Sequence, residues 1–565
     1  MTSHAALAVL IVGAGPAGLV LALTLRQNGV QVRIIDKETQ FRPGQRGTGL
    51  QPRTLEVFNF LGVLPDFQAI GLRQVPRRSY KLPGGTEPLM TTYMAPPQEP
   101  TPATPLPNGL HLGQDHTEEI LRKHLGKYDS HVELGTELDS FEQHPDHVVA
   151  HLIKKPEGGE EEQETIVCRW LVGTDGARGV VRKQLGLRLV GETREEQHIV
   201  VGEVEVGGLD RNHWHCWGDA STKLLMLRPT ENPGTFYMLA GGQIDHKKVV
   251  ADRGELVKFI YDATDRRDLR IGQVPWISEF RRVACPTLVC TECLPGRAVR
   301  PNIRMVDKFG NGRVFVAGDS FNLGWKLASV AKGRSSPALL DTYTEERLPV
   351  IASMLEKTTE LLDRMNAAKH DRPADVDAAW RRGGALTQLG VHYRWSSIVR
   401  DERTPPPKQP QDTYGGAAGE GLRAGDRAPD APVLKIVSLR ALDVIGGSYA
   451  AGDVTSVFRI IRPTYHIVFI FTKDADWAQS AVNALHEVPP EAVRPVVVLP
   501  KDVSTHSDVT GVDIVVVDAE GHAYAGYGAS AEQPLIVTIR PDGVVGAIVF
   551  EVDGLRKYFS KVFAV

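Results

Sequence analysis

A strand, a glycine turn and a helix open this chain and constrain what can follow. Val9-Leu10-Ile11-Val12 is an apolar run, Gly13-Ala14-Gly15-Pro16-Ala17-Gly18 comes next, and Val32-Arg33-Ile34-Ile35 ends on an acid, Asp36. This is the order of a dinucleotide-binding βαβ unit. Gly13 allows a tight turn, Gly15 lets backbone N–H groups approach a pyrophosphate, and Gly18 lets the helix pack close to the strand. Asp36 is placed to accept from a ribose hydroxyl. The pyrophosphate would sit on the positive end of the helix that starts near Pro16. The motif serves NAD and FAD alike.

A chain of 565 residues is expected to hold two or three domains. A net charge of −4 argues against nucleic acid or an anionic membrane as the main partner. Five cysteines do not make a disulfide scaffold. Ala5 to Leu25 is uncharged and long enough to imitate a membrane span. Glycines and a proline at fingerprint positions break it, so no membrane span and a cytoplasmic protein are expected.

Strands and helices alternate through residues 1–74, the first part of a nucleotide-binding domain. Residues 75–111 are rich in proline and glycine and read as a segment covering a site. Residues 112–186 resume the first domain, with a helix from Gln114 and strands at Val148–Lys154 and Thr165–Gly173. Residues 187–300 read as a separate β-rich domain. Residues 301–402 return to the first domain through the buried strand Arg313–Ala317 and helices. Residues 403–432, dense in Pro, Gly and Ala, read as a linker, and 433–565 resume strand-helix-strand order.

Two further motifs end strands. Leu171-Val172-Gly173-Thr174-Asp175-Gly176 leads into a short helix that Asp175 can cap. Arg313-Val314-Phe315-Val316-Ala317-Gly318-Asp319 puts a carboxylate at the carboxyl edge of a parallel sheet, where α/β proteins bind ligands. With these three motifs in this order, the chain resembles the single-component FAD-dependent aromatic hydroxylases, the class A flavoprotein monooxygenases, closest to fungal members with a thioredoxin-like C-terminal domain. The resemblance implies an FAD-binding Rossmann-like α/β domain with an inserted β-rich substrate domain. In it Gly13, Gly15, Gly18 and Asp36 match the adenosine and pyrophosphate site. Arg46 and Gln114 match flavin-contacting residues, Asp175 and Gly176 a motif for FAD and NAD(P)H, and Gly318 and Asp319 the ribityl and pyrophosphate site. Arg46 and Arg53 read equally as solvated arginines when taken alone.

The implied chemistry uses FAD, NADPH or NADH, and O₂. A flavin hydroperoxide attacks an electron-rich, phenolic or aromatic small molecule, and water must be kept out. Some relatives carry an aspartate where this chain has Thr48, which cannot be an anionic base. Thr48 and Tyr237 are the candidate substrate residues, and the catalytic base is unassigned.

Two places depart from the family. Relatives place a glycine-rich loop and a helix start after Gly-Asp. Here Asp319-Ser320 runs directly into Phe321-Asn322-Leu323-Gly324-Trp325. Arg282–Val299 is an insertion holding Cys285, Cys290 and Cys293, spaced as in plant-type iron–sulfur sites, with Cys168 or Cys216 as the imaginable fourth ligand. An inserted loop is the expected reading, with no metal. His213 and His215 alternate onto one strand face without a third ligand and read as part of the β-rich domain. Trp214, Trp217 and Tyr237 either line the pocket or fill the core.

The C-terminal region reads as thioredoxin-like, with parallel strands at His466–Phe471 and Val496–Leu499 and a cis bond expected before Pro534. It has no C-x-x-C, which excludes disulfide exchange. A structural role or an oligomerisation surface, as in a homodimer, is expected. The reading reached is an FAD-dependent aromatic monooxygenase. Its rivals are the same fold holding FAD poorly, and an NAD-linked dehydrogenase.

Overall fold

A computed structural model describes residues 7–45, 47–156, 159–176, 178–190, 198–219, 222–281, 305–367, 378, 380–416, 421–440, 449–501, 503 and 509–564. Arg46 and the cysteine-bearing segment 282–304 lie outside them.

Among the described residues the first sheet has eight strands around a parallel centre. Leu7–Val12 pairs in parallel with Val32–Ile35 on one side and Glu162–Gly173 on the other, and Val314–Val316 adds to Glu162–Gly173. In register, Val12 stands beside Ile35 and Gly173, and Gly173 beside Val316. The three strand-end motifs therefore emerge side by side at one carboxyl edge, although up to three hundred residues of chain separate them. The helix Pro16–Gln27 buries Leu19, Leu21, Leu23 and Leu25 and packs against Gln114–Gly126 and Ser320–Ala331.

The second sheet is mostly antiparallel. Residues 75–111, expected only to cover a site, contribute two strands to it. Arg77–Tyr80 pairs in parallel with Trp214–Gly218, and Pro88–Thr92 pairs with Arg77–Tyr80. The partner of that edge lies far off in sequence, so no local pattern announces the pairing. Helices His246–Ala251 and Arg253–Thr264 cover one face over Val200, Trp217, Leu225 and Phe236. The opposite face carries Trp214, Cys216, Met226, Tyr237 and Leu239. Trp214 and Trp217 thus belong to opposite faces. His215 is a satisfied core residue, with Nδ1 2.7 Å from the Tyr80 hydroxyl and Nε2 2.9 Å from the Asp210 carbonyl. Cys168 and Cys216 are buried thiols in the first and second sheets, and burial pushes each up to about 12.

The third sheet runs Arg400–Asp401, Val545–Val549, Leu535–Ile539, His466–Phe471, Val493–Leu499, Ile514–Asp518, Leu434–Leu439, Val454–Thr455. His466–Phe471, Val493–Leu499 and Ile514–Asp518 are parallel, and Leu535–Ile539 and Val545–Val549 form an antiparallel hairpin followed by the helix Val552–Val562. Its core is continuous with that of the first sheet. Residues 424–431, part of the compositional linker, are packed rather than loose. Ala424, Asp426, Ala428 and Asp430 are buried, Arg394 Nε meets Asp426 Oδ1 at 2.7 Å, and Arg427 Nη2 meets Glu56 at 2.7 Å. Proline and glycine mark a lack of regular structure there, not a lack of burial. The cis bond among the described residues is Leu82–Pro83; the expected cis bond before Pro534 is not found. Trans is the lower state unless surroundings enforce cis. Among the described residues no helix is long and apolar enough to cross a membrane.

Candidate functional site

The carboxyl edge of the first sheet opens into a cavity of about 450 Å³. Gly13, Gly15, Asp36, Asp175 and Gly176 line one part, and Thr48, Gln114, Glu118 and Tyr237 line the rest. Gly13 has φ +106°, and a Cβ there would lie 2.6 Å from the Thr174 carbonyl oxygen. A Cβ on Gly18 would lie 2.1 Å from the Gly13 carbonyl oxygen, so this glycine lets the helix close onto the turn. Gly15 differs: no protein atom lies within 4 Å of the place a Cβ would take. It also caps the helix Pro16–Gln27 without a side-chain hydrogen bond, which leaves the positive helix end facing open space.

Asp36 Oδ2 accepts from the Ala14 N–H at 2.8 Å and Oδ1 from the Glu38 N–H at 3.0 Å. A carboxylate has further lone-pair sites for a ribose. Asp175 Oδ2 accepts from the Val181 N–H at 3.1 Å, so it caps the following helix while it lines the cavity, and burial pushes its carboxyl up. Gln114 Nε2 donates to Glu118 Oε1 at 2.8 Å. These features fit an FAD at its adenosine and pyrophosphate end: an open glycine, an uncapped helix start and a ribose-reaching acid.

Gly318 and Asp319 reach the same sheet edge but are not part of the cavity wall. Asp319 Oδ1 accepts from the N–H groups of Phe321 and Asn322 at 3.1 and 3.0 Å, which caps the helix Ser320–Ala331. Its Oδ2 lies 3.2 Å from Arg347 Nη1. Because the helix begins at the next residue, no loop carries this acid toward the cavity.

The sequence reading did not single out a polar cluster that ties the start of the helix Gln114–Gly126 to the second sheet. His116 Nδ1 lies 2.9 Å from Glu231 Oε1 and 3.3 Å from Asp115 Oδ1. Glu231 Oε2 accepts from Gln45 Nε2 at 2.7 Å, and Asp115 Oδ2 from the Gly44 N–H at 3.0 Å. The Asp115 and Glu231 carboxylates push His116 up to about 10, so it is the cation of an ion-pair cluster. The three donor atoms lie within 4.8 Å of one another, and neither His116 Nδ1 nor Asp115 Oδ1 has a hydrogen-bond partner in acceptable geometry. No spacing rule connects Glu231 to His116.

The family model described as FAD binding domain matches residues 6–358. A flavin-dependent monooxygenase of Mycobacteroides abscessus is 33% identical over 465 residues, covering 78% of this chain and 87% of that protein. The 6-methylpretetramide 4-monooxygenase of Streptomyces rimosus is 32% identical over 69% of this chain and 71% of its own length. Pentachlorophenol 4-monooxygenase of Sphingobium chlorophenolicum is 26% identical over 96% of this chain and 93% of its own length. Among solved structures, the flavin-dependent monooxygenase PieE in complex with FAD and substrate superposes with a TM-score of 0.76 at 19% identity, covering 99% of this chain and 98% of that one. That likeness shows the fold. The family match and the relatives above 30% identity show more: this chain belongs to the FAD-binding, flavin-dependent monooxygenases, whose cofactor is FAD.

Proposed function

We propose that the chain hydroxylates a phenolic or aromatic small molecule with NADPH or NADH and O₂. The observation that supports this most is the cavity joining Gly15 and Asp36 to Thr48 and to Tyr237 of the second sheet. Bound FAD supplies electron transfer from the nicotinamide to O₂ and oxygen delivery to the ring. The chain's own residues bind and orient. Gly13, Gly15, Gly18 and Asp36 hold the adenosine and pyrophosphate; Arg46, Gln114, Asp175 and Gly176 serve the flavin side; Thr48 and Tyr237 face the substrate. The buried walls of the second sheet exclude water, which keeps reducing equivalents from being lost to peroxide. Relatives acting on 6-methylpretetramide and pentachlorophenol support an aromatic substrate. We read residues 433–565 as a thioredoxin-like unit without thiols, supported by its parallel strands and terminal hairpin and helix.

A second reading, that the chain holds FAD poorly, is favoured by Asp319, whose carboxylate is taken up as a helix cap and by Arg347. One experiment separates the two. Purified protein is assayed for bound FAD and for product formed per NAD(P)H consumed, beside a version with a family-like segment inserted between Ser320 and Phe321. Stoichiometric FAD with tight coupling in the natural chain supports the first reading. Low FAD and peroxide release, both corrected by the insertion, support the second.

A further inference from the structure

Donor atoms from two distant parts of the chain converge beside the cavity. Asp115 and His116 open the helix Gln114–Gly126, which packs on the helix Pro16–Gln27. Glu231 comes from the second sheet, just past the strand Lys223–Pro229. One donor atom of each residue lies within 4.8 Å of the other two. His116 Nδ1 stands 2.9 Å from Glu231 Oε1 and 3.3 Å from Asp115 Oδ1. Donor atoms around a tetrahedral zinc stand roughly 3.3 Å apart, as bonds of about 2.0–2.1 Å require.

Hydrogen bonding does not account for this convergence. His116 Nδ1 and Asp115 Oδ1 are both buried without a hydrogen-bond partner, despite their short separations. A hydrogen bond needs the N–H aimed along the line to its acceptor. Metal ligands need only lone pairs that meet at a point off those lines. An acid at a helix start is ordinarily explained by the positive helix end. That accounts for Asp115, but not for Glu231 brought in from another sheet, nor for an imidazole nitrogen set between the two.

The supports around the cluster leave the right atoms free. Asp115 Oδ2 accepts from the Gly44 N–H at 3.0 Å, and Glu231 Oε2 from Gln45 Nε2 at 2.7 Å. Each carboxylate is fixed through one oxygen and turns the other toward His116. Glu231 Oε1 also accepts from the Gly113 N–H at 3.1 Å, which leaves it a second lone pair. Outer partners of this kind orient metal ligands. Gly113 has φ −54° and ψ 144°, which any residue adopts. A Cβ there would lie 2.4 Å from Asp115 Oδ1 and 2.8 Å from Glu231 Oε1, so a glycine is what lets both oxygens close in.

We propose that Asp115, His116 and Glu231 bind one divalent transition-metal ion, zinc for preference, which clips the second sheet to the helix start beside the cavity. One imidazole nitrogen and two carboxylate oxygens are a donor set for zinc, and water completes the coordination. On binding, the His116 Nδ1 proton passes to solvent and the nitrogen lone pair bonds the ion. No electrons change hands. In metal-free protein His116 keeps that proton. The proposal does not depend on the hydroxylase reading, because none of the three ligands is assigned there to FAD or substrate.

The test uses purified, untagged protein with its FAD, stripped with EDTA, dialysed and titrated with zinc chloride in a calorimeter. Zinc retained after gel filtration is counted by atomic emission. The natural protein is expected to keep one zinc per chain and to melt at a higher temperature with zinc than with EDTA. His116→Asn and Glu231→Gln each remove a ligand and should weaken binding by about 100-fold or more and abolish the rise in melting temperature. Gly113→Ala keeps all three ligands but pushes two of them aside, and should weaken binding by about 10–100-fold. Melting in EDTA identifies the variants that fold, and the comparison is made on those. Failure of the natural protein to take up stoichiometric zinc overturns the proposal. So does equal uptake by the natural protein and the variants, which would put the ion elsewhere, as at the stacked surface pair His144 and His147.

Discussion

Arg540 of the third sheet donates to both oxygens of Glu346 in the helix Asp341–Ala367, at 2.7 and 3.0 Å, and both side chains are completely buried. Lys326 Nζ joins at 2.7 Å and Ser396 Oγ at 2.7 Å. Arg540 also holds Asp542, which accepts from Asn322 Nδ2 at 3.0 Å and Trp325 Nε1 at 3.1 Å. The joint between the nucleotide-binding region and the C-terminal unit is thus a buried ionic network inside one continuous core.

Removing one member of such a network leaves opposite charge buried and unanswered. Glu346→Ala is expected to cost about 3–5 kcal/mol of stability. Denaturant unfolding followed by tryptophan fluorescence measures it. A loss below about 1 kcal/mol would show that the network is wetter and weaker than its geometry.

The His116 cluster makes stability depend on pH. Its partners raise His116 from 6.5 to about 10 in the folded chain. A raised cation stabilises fully below its unfolded pKa, and that contribution falls as pH rises through the folded pKa. Stability should therefore decline between about 6.5 and 10. His116 is partly exposed, so solvent screening reduces the effect to about 1–2 kcal/mol. His116→Asn should flatten this slope in unfolding titrations across that window; an unchanged slope would remove His116 as its source.

The glycines of the first turn should separate folding from cofactor binding. Gly15 has φ −70° and ψ 179°, which alanine adopts freely, and no protein atom crowds it. Gly15→Ala is expected to change apoprotein stability by less than about 0.5 kcal/mol. It should still weaken FAD binding by about 1.4 kcal/mol or more, tenfold in Kd. Gly18→Ala, forced against the Gly13 carbonyl, should destabilise the fold itself by about 1–3 kcal/mol. Thermal unfolding of apoprotein beside FAD titration distinguishes the two effects, and equal losses of stability would refute the distinction.

Asp36→Ala is expected to weaken FAD binding by about 1–3 kcal/mol, because a ribose hydroxyl would lose its acceptor and the Ala14 N–H its partner. Equilibrium titration by quenching of flavin fluorescence gives the number. Affinity equal to that of the natural protein would show that Asp36 serves the turn alone.

The sequence by itself determined whatever is local. The apolar strand, the spaced glycines and Asp36 lie within thirty residues, and each glycine's task follows from turn geometry and helix contact. The helix at Gln114 and the strands at Val148–Lys154 and His466–Phe471 follow from periodicity in the same way. Tertiary structure alone decided what distant segments make together. Arg228, Tyr237 and Glu203 form a row only because three strands pair in one register, and a slip of one residue would turn each side chain to the other face. The apolar pattern that sets this register says nothing of which polar residue meets which. Asp319 shows the converse. Its motif leads to the expectation of a cofactor ligand, and the folded chain shows that one oxygen of this carboxylate also caps the helix that starts at Ser320. Glu346 and Arg540 meet across 194 residues of sequence because two apolar cores merged and enclosed the charges between them.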